Sequence, residues 1–427
     1  MSYEQPLENG LLLRTVKDER DIQRYITFNA EYNLISEGQN SDLLLHYFPG
    51  ASFDDYQLIE DLRSGQIVST TCLIPWEFKY EGVSLRAAQL EQVLSHPEYR
   101  RHGLVRIQIK RFMQMVTERQ FDLSFIWGIP YYYRQYSYGY CIDGSVCEAI
   151  PAWRIPVTGE GVSTAYSLKP ASLADIPALA EIYDRVSGQL QLHATRSQAH
   201  WQYLLEKARF PIRVVEDRRT GKVAGYIACH NNANRSRIAV IESGILNQEV
   251  GIAILQALKK ETGGEIQVSW PQNNPLTRLV RDFGSVTQPG GQWLFHITNP
   301  AGFFTKITPV LEKRLAASDC ENLTKNIIIN LFRQAYRLCF VSGKISSVDS
   351  LGFVDASMGA DGGDLCIPPE ALVRLVLGYR DIENLRDAWP DIVLKAECRR
   401  VIEVLFPKMD SYLNIPYAYF DADAKDQ

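Results

Sequence analysis

No stretch of this 427-residue chain stays apolar for the ~20 residues a membrane-spanning helix needs. The start, Met1-Ser-Tyr-Glu-Gln-Pro6, has neither the basic opening nor the apolar run of a signal peptide, so no membrane role and a cytoplasmic location are expected. Basic charge is also short. Against 50 Asp and Glu stand 45 Lys and Arg, a net charge of −5 that argues against a nucleic-acid partner and leaves a small or cationic one open. The eight cysteines (Cys72, Cys141, Cys147, Cys229, Cys320, Cys339, Cys366, Cys398) are scattered with no Cys-x-x-Cys pair. Buried free thiols are therefore expected, and neither a disulfide nor a metal site. Gly-x-Ser-x-Gly and His-Glu-x-x-His are absent too, which removes the common serine-hydrolase and zinc-protease signatures.

What is present is ordinary globular composition, 46% hydrophobic and 22% charged, in a chain too long for one core. The first unit, 1–155, mixes strands with helices: Leu11–Thr15, a polar helix around Asp18–Asn33, then Tyr56–Leu62 and Ile67–Tyr80 about the turn Arg63–Gln66. Ala87–Ser95 has the apolar density of a central strand, Val105, Ile109, Phe112 and Val116 mark one face of a helix, and Asp122–Trp127 is a further strand. A second unit, 156–300, repeats that plan from Tyr166, with strands at Ile212–Glu216, Val223–Asn231 and Ser236–Leu246 and a helix at Val250–Glu261. The third, 301–427, has a helix from Thr308, a β-rich middle over Ile327–Val354, a turn cluster at Gly359–Gly363, and closing helices at Pro368–Leu377 and Ile392–Leu405.

The most informative stretch is Glu91-Gln-Val-Leu-Ser-His-Pro-Glu-Tyr-Arg-Arg-His-Gly-Leu-Val-Arg106, where a strand runs through a basic loop straight into a helix. Backbone donors at a helix N-terminus, with Arg100, Arg101 and Arg106 around them and Gly103 allowing close approach, make an anion site suited to a pyrophosphate. A solvated basic turn is the plainer alternative. The second stretch, Gly128-Ile-Pro-Tyr-Tyr-Tyr133-Arg-Gln-Tyr-Ser-Tyr-Gly139-Tyr, holds six tyrosines, which pack or line an interface unless one is chemically active. Strand alternation places Glu91, Val93 and Ser95 on one face and Leu90, Gln92 and Leu94 on the other, so Glu91 faces a cleft or is buried. It then serves as a base or ties neighbouring strands together. His96 is read as a structural polar contact and not as a proton relay.

The spacing Arg100-x-x-Gly103-x-Val105 resembles the pyrophosphate loop of the GNAT superfamily of N-acetyltransferases, with valine where that family usually has glycine or alanine. The tyrosine segment resembles the same family's Phe-Tyr-x-x-Phe-Gly-Phe/Tyr ending. Over its length the chain resembles the enhanced intracellular survival (Eis) type, through Cys72–Gly82, the two segments above, Leu372–Tyr379 and Val404–Pro407. The resemblance implies an α+β chain of two tandem GNAT folds, each a mixed sheet with flanking helices, followed by a sterol-carrier-protein-like domain. It places coenzyme A against Val93, Leu94, Ser95, Arg100, Arg101, His102, Gly103, Leu104, Val105, Arg106, Gly128 and Ile129, with Tyr133 as the acid that protonates the departing thiolate. The second unit has Asn247-Gln248-Glu249 in place of the loop, so no coenzyme A is expected there. In that family the terminal carboxylate acts as base and hexamers are common. Here seven residues follow Phe420, which keeps Glu91 a candidate base. The expected activity is direct transfer of acetyl from acetyl-CoA to a primary amine, on a homo-oligomer and without a metal. A non-catalytic acyl-CoA-binding protein and a lipid carrier using the C-terminal domain are the alternatives.

Overall fold

A computed structural model describes residues 3–156, 165–232, 236–269, 271, 273–356 and 362–418. In the first unit the strands are β1 (Glu4–Pro6), β2 (Leu11–Thr15), β3 (Tyr56–Asp61), β4 (Gln66–Tyr80), β5 (Val83–Ser95), β6 (Leu123–Ile126) and β7 (Gly139–Asp143). Next come β8 (Cys147–Pro151), β9 (Tyr166–Pro170), β10 (Leu192–Ala194), β11 (Ile212–Asp217), β12 (Lys222–Asn232) and β13 (Arg237–Ile245). β14 (Glu265–Ser269), β15 (Val286–Gln288) and β16 (Gln292–His296) follow, and the third unit adds β17 (Lys325–Asn330), β18 (Ala335–Val341), β19 (Lys344–Gly352), β20 (Leu365–Cys366) and β21 (Val393–Leu394).

The first sheet has the order β1-β2-β3-β4-β5-β6-β16-β7, with β10 added on β4. The second has the order β15-β8-β14-β13-β12-β11-β9. From β2 and from β9 inward, the two sheets correspond strand for strand. In each, one parallel pair sits at the middle: β5 with β6 over Ala87–Gln89 and Leu123–Phe125, and β13 with β14 over Arg237–Val240 and Glu265–Val268. A helix joins each parallel pair, as a crossover must. The last-but-one position is exchanged: β16, from residues 292–296, completes the first sheet, and β8, from residues 147–151, completes the second. With β10 also joined to β4, three strands thus cross between the stretches 1–155 and 156–300.

Helix α1 (Glu19–Tyr32) starts where the Asp18 side chain accepts from Asp21 N at 3.0 Å, and buries Ile22, Tyr25 and Phe28 at helical spacing. Helix α2 (Ile35–Tyr47) has no counterpart in the sequence reading. Its buried side carries Gly38, Asn40 and Ser41 beside Leu44 and Leu45, so no apolar stripe announces it. Helix α3 (Leu104–Glu118) buries Ile109, Phe112, Met115 and Val116. In the third unit, the helix expected over 392–405 is a strand, β21, then a short 3-10 turn and a helix at Arg399–Leu405. β21 pairs with β20, and that pairing takes the first residues of the apolar run. The turn cluster 359–363 lies largely outside the described residues. One apolar cluster joins all three units, from Tyr25 and Phe78 through Trp201 and Tyr226 to Phe303, Leu372 and Phe406.

Candidate active site

The β5–β6 pair ends at Gln89, and beyond it the edge of β5 that faces β6 has no strand partner among the described residues. Opposite β4 the register slips between Thr70 and Cys72, and Gln92 takes φ 53, which is a β-bulge. The bulge overturns the simple alternation expected for this strand. Gln92 Nε2 donates to Ser41 Oγ of α2 at 2.7 Å, and Glu91 lies opposite Cys72, so both turn toward the α1–α2 side. Val93 packs on the core formed by Leu90 and α3. Ser95 meets Ser69 Oγ, which itself bonds Gln108 of α3 at 2.6 Å. Leu94 packs with the α1 cluster. One extra residue has moved Glu91 to the face away from Val93 and Ser95.

After β5 the chain makes a tight turn at Pro97–Tyr99. His96 Nδ1 accepts from Glu98 N at 3.2 Å, a capping contact that fits its structural reading. Tyr99 anchors the loop to the end of β3 by donating to Asp61 Oδ2 at 2.7 Å. Arg100, Arg101, His102, Gly103 and Arg106 are exposed, whereas Leu104 is buried under the helix start and Val105 packs inward on the α3 core. Arg101 and Gly103 both take left-handed φ, 66 and 78. Gly103 caps α3 with no side-chain acceptor, and a Cβ placed on it would meet nothing within 4 Å. The first helical N–H groups therefore keep an open approach, and the partial positive charge there suits an anion. The second unit differs at this point. Its helix at Gln248–Glu261 is capped by Asn247, whose side chain accepts from Val250 N at 3.0 Å.

Tyr133 lies in a 3-10 turn (Tyr132–Tyr136) just past β6 and is 5% exposed. Its ring occupies the space beside Gly128, where a Cβ would stand 2.2 Å from Tyr133 Cδ2. Gly128 is in this respect a packing position. Ile129, next along, is 65% exposed. Burial and the nearby Glu91 carboxylate push the Tyr133 phenol well above its ordinary pKa, so it is protonated at neutral pH. Between α3 and the turn runs a groove of about 750 Å³ lined by Arg106, Lys110, Met113, Tyr136, His296 and Thr298. His296 and Thr298 come from β16 and its exit, so the exchanged strand helps to form this wall.

Glu91 has a neighbour that no local pattern announces. The Tyr417 hydroxyl, 326 residues away in sequence, donates to Glu91 Oε1 at 2.5 Å. Arg196, Glu242, His200 and Tyr203 of the second unit brace the segment that brings it there, and all are far from the two stretches the sequence highlights. All eight cysteines are free, four buried and four half-buried, and burial raises the Cys72 and Cys141 thiols, which leaves them un-ionised.

The acetyltransferase (GNAT) domain family matches residues 21–141, a span that contains the loop, the bulged strand and Tyr133. No curated protein sequence matches the chain. Among solved structures, a probable N-acyltransferase from Enterococcus faecalis superposes with TM-score 0.70 at 14% identity, over 98% of this chain and 100% of that one. A GCN5-related N-acetyltransferase from Anabaena variabilis does so with TM-score 0.70 at 16% identity, over 96% and 100%. Eis1 from Mycobacterium abscessus gives TM-score 0.64 at 17% identity, again over 96% and 100%. Residues 21–141 are thus a GNAT acetyltransferase domain, set in a chain with the Eis-like fold.

Proposed function

We propose that the chain is an acetyl-CoA-dependent N-acetyltransferase that moves the acetyl group directly to a primary amine. The observation that carries this reading is the parting of β5 from β6 after Gln89, which leaves Val93, Leu94 and Ser95 as an open edge next to the glycine-capped start of α3. Pantetheine amides can pair with that edge as an added half-strand. The N–H groups after Gly103, with Arg100, Arg101 and Arg106, suit the pyrophosphate, and the groove past Arg106 and Lys110 suits the nucleotide end. The Asn247 cap of the second unit already engages one of the equivalent donors, Val250 N, which supports a single coenzyme site per chain.

Acetyl-CoA, when bound, supplies an acetyl group activated as a thioester. Glu91 takes the proton from the attacking amine, and Tyr133 gives its own to the leaving thiolate. Alignment on rigid strands supplies the rest. The net charge of −5 favours a cationic acceptor. In this proposal the third unit, sterol-carrier-like as the resemblance implies, is a scaffold that frames the acceptor side, and the chain assembles as a homo-oligomer. A thiol-release assay over a panel of primary amines tests the function. Release that needs both acetyl-CoA and an amine is expected, while calorimetric binding of acetyl-CoA with no release for any amine would make the chain a non-catalytic acyl-CoA-binding protein.

A further inference from the structure

The last described stretch, residues 409–418, belongs by sequence to the third unit but runs along the second. Gln191 N donates to Asp410 O at 2.9 Å and Tyr412 N to Leu192 O at 3.2 Å. Arg196 Nη2 reaches Asn414 O at 3.3 Å, His200 Nε2 meets Pro416 O at 2.9 Å, and the Tyr203 hydroxyl donates to Tyr417 O. Arg196 is itself held by a buried two-bond pairing with Glu242 at 2.8 and 2.5 Å, and its guanidinium lies over the Tyr183 and Trp201 rings. A carbonyl only accepts, so His200 carries its proton on Nε2. Burial and Arg196 push its pKa down to about 3, which keeps it a neutral donor at working pH. This ladder ends with the Tyr417 hydroxyl on Glu91 Oε1 at 2.5 Å, a length expected of an O–H donor on a carboxylate.

Among the described residues, Cys72 from β4, Tyr133 from the turn after β6 and Tyr417 from the tail feel the Glu91 charge, and Glu37 from α2 acts on Cys72 and Tyr417 beside it. Burial keeps the thiol and both phenols neutral, and of these groups the Tyr417 hydroxyl is the one that donates to the carboxylate. A donor aimed at the carboxylate fixes its direction and favours its ionised form. Resting on the reading of Glu91 as base, we infer that Tyr417 is a positioning residue for acetyl transfer, aiming and ionising Glu91 when the tail is docked on the second unit.

Tyr417→Phe removes the donor and keeps the ring. With the amine found by the thiol-release screen, kcat should fall roughly 10- to 100-fold while KM for acetyl-CoA stays unchanged. The acid limb of the kcat/KM profile should move to higher pH, because the ionised carboxylate has lost a hydrogen bond. In a Glu91→Gln background, the same change should add no further loss. Tyr203→Phe, which loosens the tail from the second unit, is a second variant and should shift the same limb less far. An unchanged kcat and pH profile in Tyr417→Phe, or an equal loss in both backgrounds, overturns the positioning role alone. Wild-type protein that releases no thiol with any amine overturns it together with the acetyltransferase reading.

Discussion

Tyr133 and Gly128 are one unit of structure, because the ring stands where any side chain at 128 would be. Gly128→Ala should displace the phenol and lower kcat by about 100-fold, with a smaller loss of acetyl-CoA affinity by calorimetry. A large loss of affinity with kcat retained would instead make Gly128 a cofactor contact. At this scale, the sequence singles out Tyr133 because its motif is local and follows directly on a strand. Strand alternation misplaces the face of Glu91, since a bulge at Gln92 is a property of the β4–β5 pair and not of either strand alone. Tyr417 was out of reach for a different reason: its partner is 326 residues away, and nothing in the tail's own pattern names it.

Among elements, the start of α3 differs from the start of the corresponding helix at Gln248–Glu261. The first is capped by a left-handed glycine with open space above it, the second by an asparagine that already fills the role of acceptor. Arg101 also holds a left-handed φ of 66, a conformation that costs a non-glycine residue about 1–2 kcal/mol and that functional loops commonly retain. Arg101→Glu should weaken acetyl-CoA binding by roughly tenfold or more, and added salt should narrow the gap to wild type. Equal affinity in titration calorimetry would remove the pyrophosphate assignment. The loop was legible because spacing, charge and flanking elements all lie within 16 residues, 91–106. Helix α2 was not, because its buried face is made of glycine, asparagine and serine as much as leucine.

For the whole molecule, the repeated plan was legible and the exchange of β8 and β16 was not. Each exchanged strand is only five residues long, too short for its own pattern to name the sheet it joins. The exchange has a consequence for folding: residues 1–155 alone lack β16, which lies between β6 and β7, and carry β8 with no sheet to join. Expressed by itself, that fragment should aggregate or show no cooperative thermal transition, whereas the full chain melts as one body across its shared core. A soluble fragment with a sharp transition in circular dichroism would show that the first sheet closes without β16.

The proposed chemistry rests most directly on Tyr133. Thiol release from acetyl-CoA, measured beside acetyl-CoA affinity for wild type and Tyr133→Phe, separates proton donation from binding. Equal affinity with kcat at least about 100-fold lower in the variant is the predicted result. A variant that turns over as fast as wild type would contradict the assignment of Tyr133 as the acid.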